Sequence, residues 1–275
     1  MPTAVLDFDL ENLPAQIDDL KGYDRALCLL RFRSKPIGQK LLPVHNGQIM
    51  VKEFYHEICD ATGYRLPTHW LHQYLELDKH KQHSLRTIKA TIAICTRNRT
   101  QDLKRCLEAL NRLPNDGQEI LVIDNCPSTD ETNQLVKTFP GVRYVLEPRP
   151  GLNIARNRAL QEAQHEIVAF TDDDAVPDST WLRALISNFD NPLVLCVTGL
   201  TMPLELETEA QEAFEKYSSF NKGFDKKLFT SRTCNPVLTG GVGAGANMAL
   251  RKHILQTVGF FDEALDAGTP NPIWW

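Results

Sequence analysis

The sequence lacks several features that would assign its class at once. Its longest weakly charged stretch, NPLVLCVTGLTMPL, is shorter than the roughly 20 apolar residues that span a bilayer. Its acidic N-terminus has neither the basic nor the apolar region of a signal peptide. Lys and Arg (30) do not outnumber Asp and Glu (35), which argues against a nucleic-acid partner. We expect a cytoplasmic protein without a transmembrane segment, at most peripheral to the inner face of the membrane.

Paired cysteines and common phosphate-binding loops are also missing. The seven cysteines include no CxxC pair, and some lie in apolar runs such as TIAIC, which is typical of reduced, buried thiols. No GxxxxGK[ST] is present, and no GxGxxG follows a strand and opens a helix. The Gly-rich stretch GGVGAGAN (240–247) has a different spacing. It fits either a turn packed against a sheet or a loop that closely approaches a ligand.

A change of pattern near residue 88 predicts two regions. Residues 1–88 contain two candidate strands, RALCLLRFR and KLLPVHNGQIMV, joined by SKPIGQ, and a helix, VKEFYHEICDATG, that should end at Gly63. This indicates a small α+β accessory module of unassigned role. The polar, basic stretch 78–89 favours a linker or an exposed connection. Residues 89–275 form the second predicted domain.

Apolar, β-branched runs alternate with helical patterns through the second region. The helical patterns are TQDLKRCLEALNRL, with Thr100 placed as N-cap, and PDSTWLRALISNF, which opens with Pro177 and Asp178. The predicted strands are 91–95, 119–125, 142–147, 166–171 and 193–199. Such alternation predicts an α/β fold, a Rossmann-like, mostly parallel sheet with helices on both faces.

Acidic and basic residues follow four of these strands. In parallel sheets, ligands bind at the carboxyl ends of the strands. The acids are Asp124, Asp130, Asp172, Asp173 and Asp174, and the bases are Arg97, Arg99, Arg149, Arg156 and Arg158. Adjacent carboxylates favour a hard cation such as Mg²⁺ or Mn²⁺, and arginines suit phosphates. The pattern therefore indicates a metal–diphosphate complex, although solvated strand ends, or a helix cap near Asp178, would also explain it.

An ordered set of segments in this region resembles the family 2 glycosyltransferases with the GT-A fold. The segments are TIAICTRNRTQDLKRCLEAL, EILVIDNCPSTDET, GLNIARNRAL, IVAFTDDDAVPDSTWL, GAGANMALRK and VGFFDEAL, and they cover roughly residues 89–266. The resemblance implies an inverting transfer of a sugar from a nucleotide-diphosphate sugar, a UDP-sugar before others. The acceptor, whether glycan, lipid or small molecule, is not specified.

The resemblance also implies roles for individual residues. Thr96, Arg97 and Asn98 match contacts with the nucleoside, Asp124 matches the acid that reads the base, and Arg156 matches a cation near the donor.

TDDD matches the DxD element, in which acids hold the ribose and, through Mn²⁺ or Mg²⁺, the diphosphate. Asp172 and Asp174 form the literal D-x-D and are the expected metal ligands, and Asp172 and Asp173 are expected near the donor.

The general base that the reaction requires is not assigned. In the family it follows the FFDE segment within a Gly-rich stretch, whereas here the chain reads FFDEALDAGTPNPIWW and ends. Asp262 and Glu263 match a different family position. We therefore expect a C-terminally truncated domain whose base lies beyond Trp275. Because Trp-Trp is encoded by TGGTGG, which reads Gly-Gly in a shifted frame, a frameshift is one explanation and an ordinary truncation is another.

Two alternatives remain at this point. A catalytically incomplete nucleotide-sugar-binding protein would explain the missing base. A sugar nucleotidyltransferase would have a similar sheet and would also use a metal ion. Such an enzyme normally has a Gly-rich basic loop after the first strand, whereas CTRNRT contains no glycine.

Overall fold

The structure, a computed structural model, describes residues 2–75, 77, 89–235 and 239–265. This part of the chain forms two compact units: residues up to 77 with 200–234, and 89–199 with 235 and 239–265. The sequence-based division at residue 88 placed 200–234 in the second region, whereas Thr3 N–H donates to the Leu206 carbonyl (2.8 Å) within the first unit. Most of the predicted linker (78–88) and the terminal Trp-Trp lie outside the described residues.

The first unit is a three-stranded sheet with helices, numbered here along the whole chain. Strand β1 (Thr3–Asp9) runs parallel to β2 (Arg25–Phe32), which pairs antiparallel with β3 (Lys35–Pro43). Its helices are α1 (Tyr55–Thr62), α2 (Arg65–Tyr74) and α7 (Glu209–Ser218). Helix α1 ends before Gly63, as predicted, because Gly63 adopts a positive φ of 53° that favours glycine.

The second unit contains a six-stranded sheet in the order β6-β5-β4-β7-β9-β8. The strands β4, β5, β6 and β7 are parallel, while β9 is antiparallel to both of its neighbours. The bounds are β4 (Ala90–Thr96), β5 (Glu119–Asn125), β6 (Val142–Glu147), β7 (Ile167–Asp172), β8 (Cys196–Thr198) and β9 (Asn247–Arg251). This confirms the predicted mostly parallel α/β sheet.

Helices cover this sheet on both faces because its strands bury side chains in both directions. The helices are α3 (Thr100–Leu110), α4 (Glu131–Lys137), α5 (Leu152–Glu162), α6 (Trp181–Ile186) and α8 (Leu255–Val258). Ile92 and Ile94 of β4 pack into one apolar cluster with α3, α4 and α6, and Ala93 packs into another with α5.

Several elements differ from the sequence-based prediction. Strand β9 was not predicted, and the expected strand 193–199 forms only Cys196–Thr198. Helix α6 begins at Trp181, after the position predicted from Pro177, because Asp178 accepts a hydrogen bond from Thr180 N–H (2.8 Å) in a preceding turn. All seven cysteines are free thiols, but only Cys28 and Cys106 are buried, so the expectation of buried thiols is wrong for most of them.

Candidate functional site

The carboxyl ends of β4, β5 and β7 border a cleft of about 260 Å³. In the strand register, Thr96 lies opposite Asp124 and Cys95 lies opposite Asp172, which brings three predicted polar strand ends side by side. The cleft is lined by Cys95, Thr96, Arg97, Arg99, Asn125, Gly151, Leu152, Ala155, Asp172, Asp173 and Asp174. Five of the predicted site residues therefore line one cleft, while Asn98, Asp124 and Arg156 are not among its lining residues.

Arg99 balances the charge of two acids in the triplet. Its guanidinium donates to Asp173 Oδ1 (3.0 Å) and to Asp174 Oδ2 (3.0 Å), and it also pairs with Asp102. Thr96 Oγ1 donates to the other oxygen of Asp173 (2.7 Å). Burial nevertheless raises the pKa of Asp173 to about 6, with Thr96 and Arg99 opposing the rise. Arg99 was recognised in the sequence as a cation on this rim, but its pairing with two of the three acids was not predicted.

Asp172 has no such partner. Its carboxylate lines the cleft and forms no hydrogen bond or ion pair with the described residues. Burial raises its pKa, while the nearby charge of Arg156 lowers it. A partly buried carboxylate without a protein donor is an acceptor available to a ligand or a cation.

Asp124 is completely buried at the end of β5 and is only half satisfied. Tyr144 O–H donates to its Oδ2 (2.8 Å), but its Oδ1 is buried and accepts no hydrogen bond within the part of the chain described. Burial raises the pKa of Asp124, and the side chains of Tyr144 and Thr132 oppose that rise. An unpaired buried carboxylate oxygen is costly, and Asp124 Oδ1 can still accept a hydrogen bond.

Asn98 joins two of the strand-end loops. It adopts a left-handed backbone (φ 56°), a conformation that asparagine tolerates better than most residues. Its Oδ1 accepts hydrogen bonds from Ser128 N–H (2.9 Å) and Ser128 O–H (3.0 Å). Asn98 therefore connects the loops after β4 and β5.

Arg156 projects from α5 into contact with the Gly-rich segment. Its guanidinium lies 5.9 Å from the centre of the Phe261 ring. A Cβ atom at Gly245 would lie 2.7 Å from Arg156 Nη2, so a side chain at that position would require the guanidinium, the end of a flexible side chain, to shift. The Gly-rich segment thus closely approaches Arg156.

Buried asparagines, which the sequence analysis did not identify, hold the loop and segment around α5. Asn125 donates to the Arg149 carbonyl (2.7 Å) and accepts from Gly151 N–H (2.9 Å), which fixes the start of α5 at the cleft. Asn157 donates to the Phe261 carbonyl and accepts from Phe261 N–H, both at 2.9 Å. Their only sequence signal is their position inside segments that resemble the family.

The FFDE segment is further attached by charged and polar contacts. Arg149 Nη1 pairs with Glu263 Oε2 (2.9 Å), and Asn153 donates to the Leu265 carbonyl (2.7 Å). Glu263 is therefore engaged in an ion pair, which agrees with leaving it out of the catalytic candidates.

Within residues 2–75, 77, 89–235 and 239–265, no group of three or more His, Cys, Asp or Glu side chains is arranged to hold a metal ion. None of the helices there combines the length and apolar composition that a bilayer crossing requires.

Comparisons with known proteins bear on the same region. The sequence profile described as Glycosyl transferase family 2 matches residues 91–259. Pre-mycofactocin glycosyltransferase of Mycobacterium tuberculosis is 26% identical over 192 residues, 67% of this chain and 38% of that protein. The uncharacterized glycosyltransferase YibD of Escherichia coli is 33% identical over 92 residues, 32% of this chain and 26% of that protein.

Among solved structures, the mannosyltransferase PcManGT of Pyrobaculum calidifontis aligns with a TM-score of 0.47 and 20% identity, over 64% of this chain and 48% of that one. The chain spans well under two thirds of the length of these relatives. Because the family profile covers more than half of the sequence and includes the strands that border the cleft, the chain belongs to glycosyl transferase family 2.

Proposed function

We propose that the chain contains the donor-binding part of an inverting glycosyltransferase, which moves a sugar from a nucleotide-diphosphate sugar to an acceptor hydroxyl. The acceptor would be a glycan, a lipid or a small molecule. One observation carries the proposal: Asp124 and Asp172 lie at the carboxyl ends of β5 and β7, the two strands that flank β4, and each keeps a carboxylate oxygen without a partner among the described residues. The buried oxygen of Asp124 would need a partner, and the cleft-lining carboxylate of Asp172 is open to one, so a ligand that supplies donors together with a cation would account for both.

The nucleoside half of the donor would lie along β4 and β5. Asp124 Oδ1 would accept a ring N–H of the base, which uracil, thymine and guanine carry; a UDP-sugar is the first candidate. The exposed Arg97 would contact the nucleoside beside Thr96, and Asn98 would position the loop that borders it. Each oxygen of Asp173 retains a lone pair beyond its bond to Thr96 or Arg99, which leaves capacity for a ribose hydroxyl.

The diphosphate would lie between Arg156 and the start of α5. Gly151 and Leu152 line the cleft at that helix N-terminus, where backbone N–H groups and the helix dipole favour anions. Asp172, and Asp174 through the oxygen that does not accept from Arg99, would hold Mn²⁺ or Mg²⁺ as hard oxygen donors, with substrate phosphates and water completing the shell. When bound, the ion would stabilise the negative charge that develops on the departing diphosphate.

In the proposed reaction, the acceptor oxygen forms a bond to the anomeric carbon as the bond from that carbon to the diphosphate oxygen breaks. Attack from the opposite side inverts the configuration, and the hydroxyl proton passes to a general base. Arg156 would face the leaving diphosphate and keep its charge close to a fixed cation.

Calorimetry with UDP-, GDP- and TDP-sugars, with and without Mn²⁺, tests the proposal. The chain should bind one of them in a metal-dependent way, and Asp172→Asn should weaken binding at least about tenfold, as expected for loss of a charged ligand. Asp190→Asn, an exposed acid at the end of a short 3-10 helix, serves as the matched control.

Absence of binding to every nucleotide sugar would contradict the proposal. Binding without transfer or donor hydrolysis would favour a catalytically incomplete binding protein, and formation of a sugar nucleotide from a sugar phosphate would favour a nucleotidyltransferase.

A further inference from the structure

Helix α2 in the first unit is oriented with its apolar side outward. None of its residues is buried, and Trp70 and Tyr74 are 56% and 71% exposed, with their rings stacked 5.4 Å apart. At 100° per residue, the side chains of Tyr64, Trp70, Leu71, Tyr74 and Leu75 project over one half of the helix surface. All five are exposed large hydrophobic residues.

The polar half of α2 packs on the body of the unit instead. Arg65 Nε donates to the Ile37 carbonyl (2.6 Å), and Arg65 Nη2 donates to the Ala61 carbonyl (3.3 Å). His69 and Gln73, on the same half, are partly buried. An amphipathic helix normally buries its apolar half, because exposing it forgoes about 25 cal/mol per Å². The outward apolar half of α2 therefore indicates a surface that a partner covers.

A second exposed apolar segment of the same unit is attached to the start of α2. Tyr64 O–H donates to Asp225 Oδ1 (2.6 Å), and Arg65 Nη1 pairs with Asp225 Oδ2 (3.1 Å). Leu228 and Phe229 follow closely in the chain and are 76% and 40% exposed.

This segment is basic although the whole chain has a net charge of −5. Its four cations are Lys222, Lys226, Lys227 and Arg232. Asp225 is the one acid in the sequence between 222 and 232, and it is paired with Arg65. The sequence of α2 contains no acid. The exposed apolar groups are thus accompanied by net positive charge.

We propose that the outer half of α2 and the segment 222–232 together form a docking surface for an anionic membrane. The charge pattern matches anionic headgroups, at about 1 kcal/mol for each Lys or Arg near the surface. Trp and Tyr place an apolar ring and a polar tip at the boundary between headgroups and acyl chains, which is where such side chains are enriched. The surface goes beyond the proposed transfer reaction and does not depend on it.

Cosedimentation of the full chain with vesicles tests the proposal. The chain should bind vesicles of phosphatidylcholine mixed with phosphatidylglycerol, and not vesicles of phosphatidylcholine alone, and added salt should weaken the binding. Lys226→Gln with Lys227→Gln should lower the partition coefficient about thirtyfold, which corresponds to two lost cations. Trp70→Ser with Tyr74→Ser should lower it by about tenfold or more.

The controls are Leu193→Ser, an 84% exposed leucine of the second unit, and Lys104→Gln on the exposed side of α3. Both should leave vesicle binding unchanged, and circular dichroism should show all variants folded.

Two outcomes would overturn the proposal. The parent chain could fail to bind mixed vesicles, or the α2 variant and the lysine variant could bind them as tightly as the parent chain does. A concentration-dependent dimer that is lost in the α2 variant, without vesicle binding, would assign the surface to a second copy of the chain instead. Calorimetry with nucleotide sugars on the same samples separates this outcome from failure of the proposed function.

Discussion

The two units of the molecule differ in where they place polar and apolar side chains. The second unit buries polar groups where strands end and beside α5, including Asp124, Asn125 and Asn157. The first unit leaves large apolar groups exposed, including Trp70 and Tyr74. Each arrangement is unfavourable in isolation, since burial of a polar group and exposure of an apolar one both cost free energy. The proposed small polar ligand would offset the first cost in the second unit, and the proposed docking surface would offset the second cost in the first unit.

Trp181 of the second unit, which is buried, and Trp70 of the first unit, which is exposed, give the most direct comparison. Trp181 is 9% exposed, packs in the larger apolar cluster of the second unit, and donates from Nε1 to Asn247 Oδ1 (2.9 Å). We expect Trp181→Ala to lower the free energy of unfolding by about 3–5 kcal/mol, because it leaves a cavity and removes this donor. Urea denaturation followed by far-UV circular dichroism measures the loss. A loss below about 1 kcal/mol would show that this cluster does not stabilise the unit as its burial suggests.

Asn157 tests whether the buried asparagines hold the segment beside α5. Asn157→Ala leaves both the N–H and the carbonyl of Phe261 without these partners, which should destabilise the attachment by about 2–4 kcal/mol. Hydrogen exchange should then show a loss of protection at the Phe261 amide of about thirtyfold or more. Asn153→Ala is the matched control, one helical turn earlier and more exposed, and its effect on that amide should be much smaller. Equal effects of the two substitutions would contradict the assignment.

Asp124 tests the ligand side of the comparison. Asp124→Asn replaces a charged acceptor with a neutral amide of similar size, while an amide oxygen can still accept from Tyr144. Nucleotide affinity should fall by about 1.5–3 kcal/mol, or roughly 10- to 150-fold, as expected for a hydrogen bond to a charged group. Calorimetry measures this change, and Tyr144→Phe distinguishes loss of the ligand contact from misplacement of the carboxylate. If Asp124→Asn binds as the parent does, the vacant Oδ1 does not face the base.

The strand ends were predictable because their signals are local. The runs 119–125 and 142–147 match β5 and β6, since continuous apolar, β-branched sequence is typical of strands buried on both faces. Once the sheet is parallel, its carboxyl edge follows, and Thr96 and the three acids come together at the cleft.

The missed features depend on contacts distant in sequence. Strand β9 inserts between β7 and β8 in antiparallel orientation after a Gly-rich loop, and NMALR alone carries no clear strand period. The contacts of Asn157 join residues 104 positions apart. Arg99 pairs with acids more than 70 positions away in the chain. The sequence spacing therefore could not show that its guanidinium donates to both Asp173 and Asp174. In each case the tertiary partner, which periodicity does not identify, decides the role.

The smallest expected effect belongs to the exposed tryptophan. Trp70 lies on the outer half of α2 and, among the residues that the structure describes, its ring stacks on Tyr74, itself exposed, so Trp70→Ala should change the free energy of unfolding by less than about 0.5 kcal/mol. Alanine also favours helix slightly, which offsets the lost stacking. Urea denaturation run in parallel with Trp181→Ala provides the measurement. A loss comparable to that of Trp181→Ala would mean that Trp70 is covered within the folded chain in solution. The near-zero value expected here would instead mean that folding does not require this ring, which leaves contact with an external surface as the reason for its position.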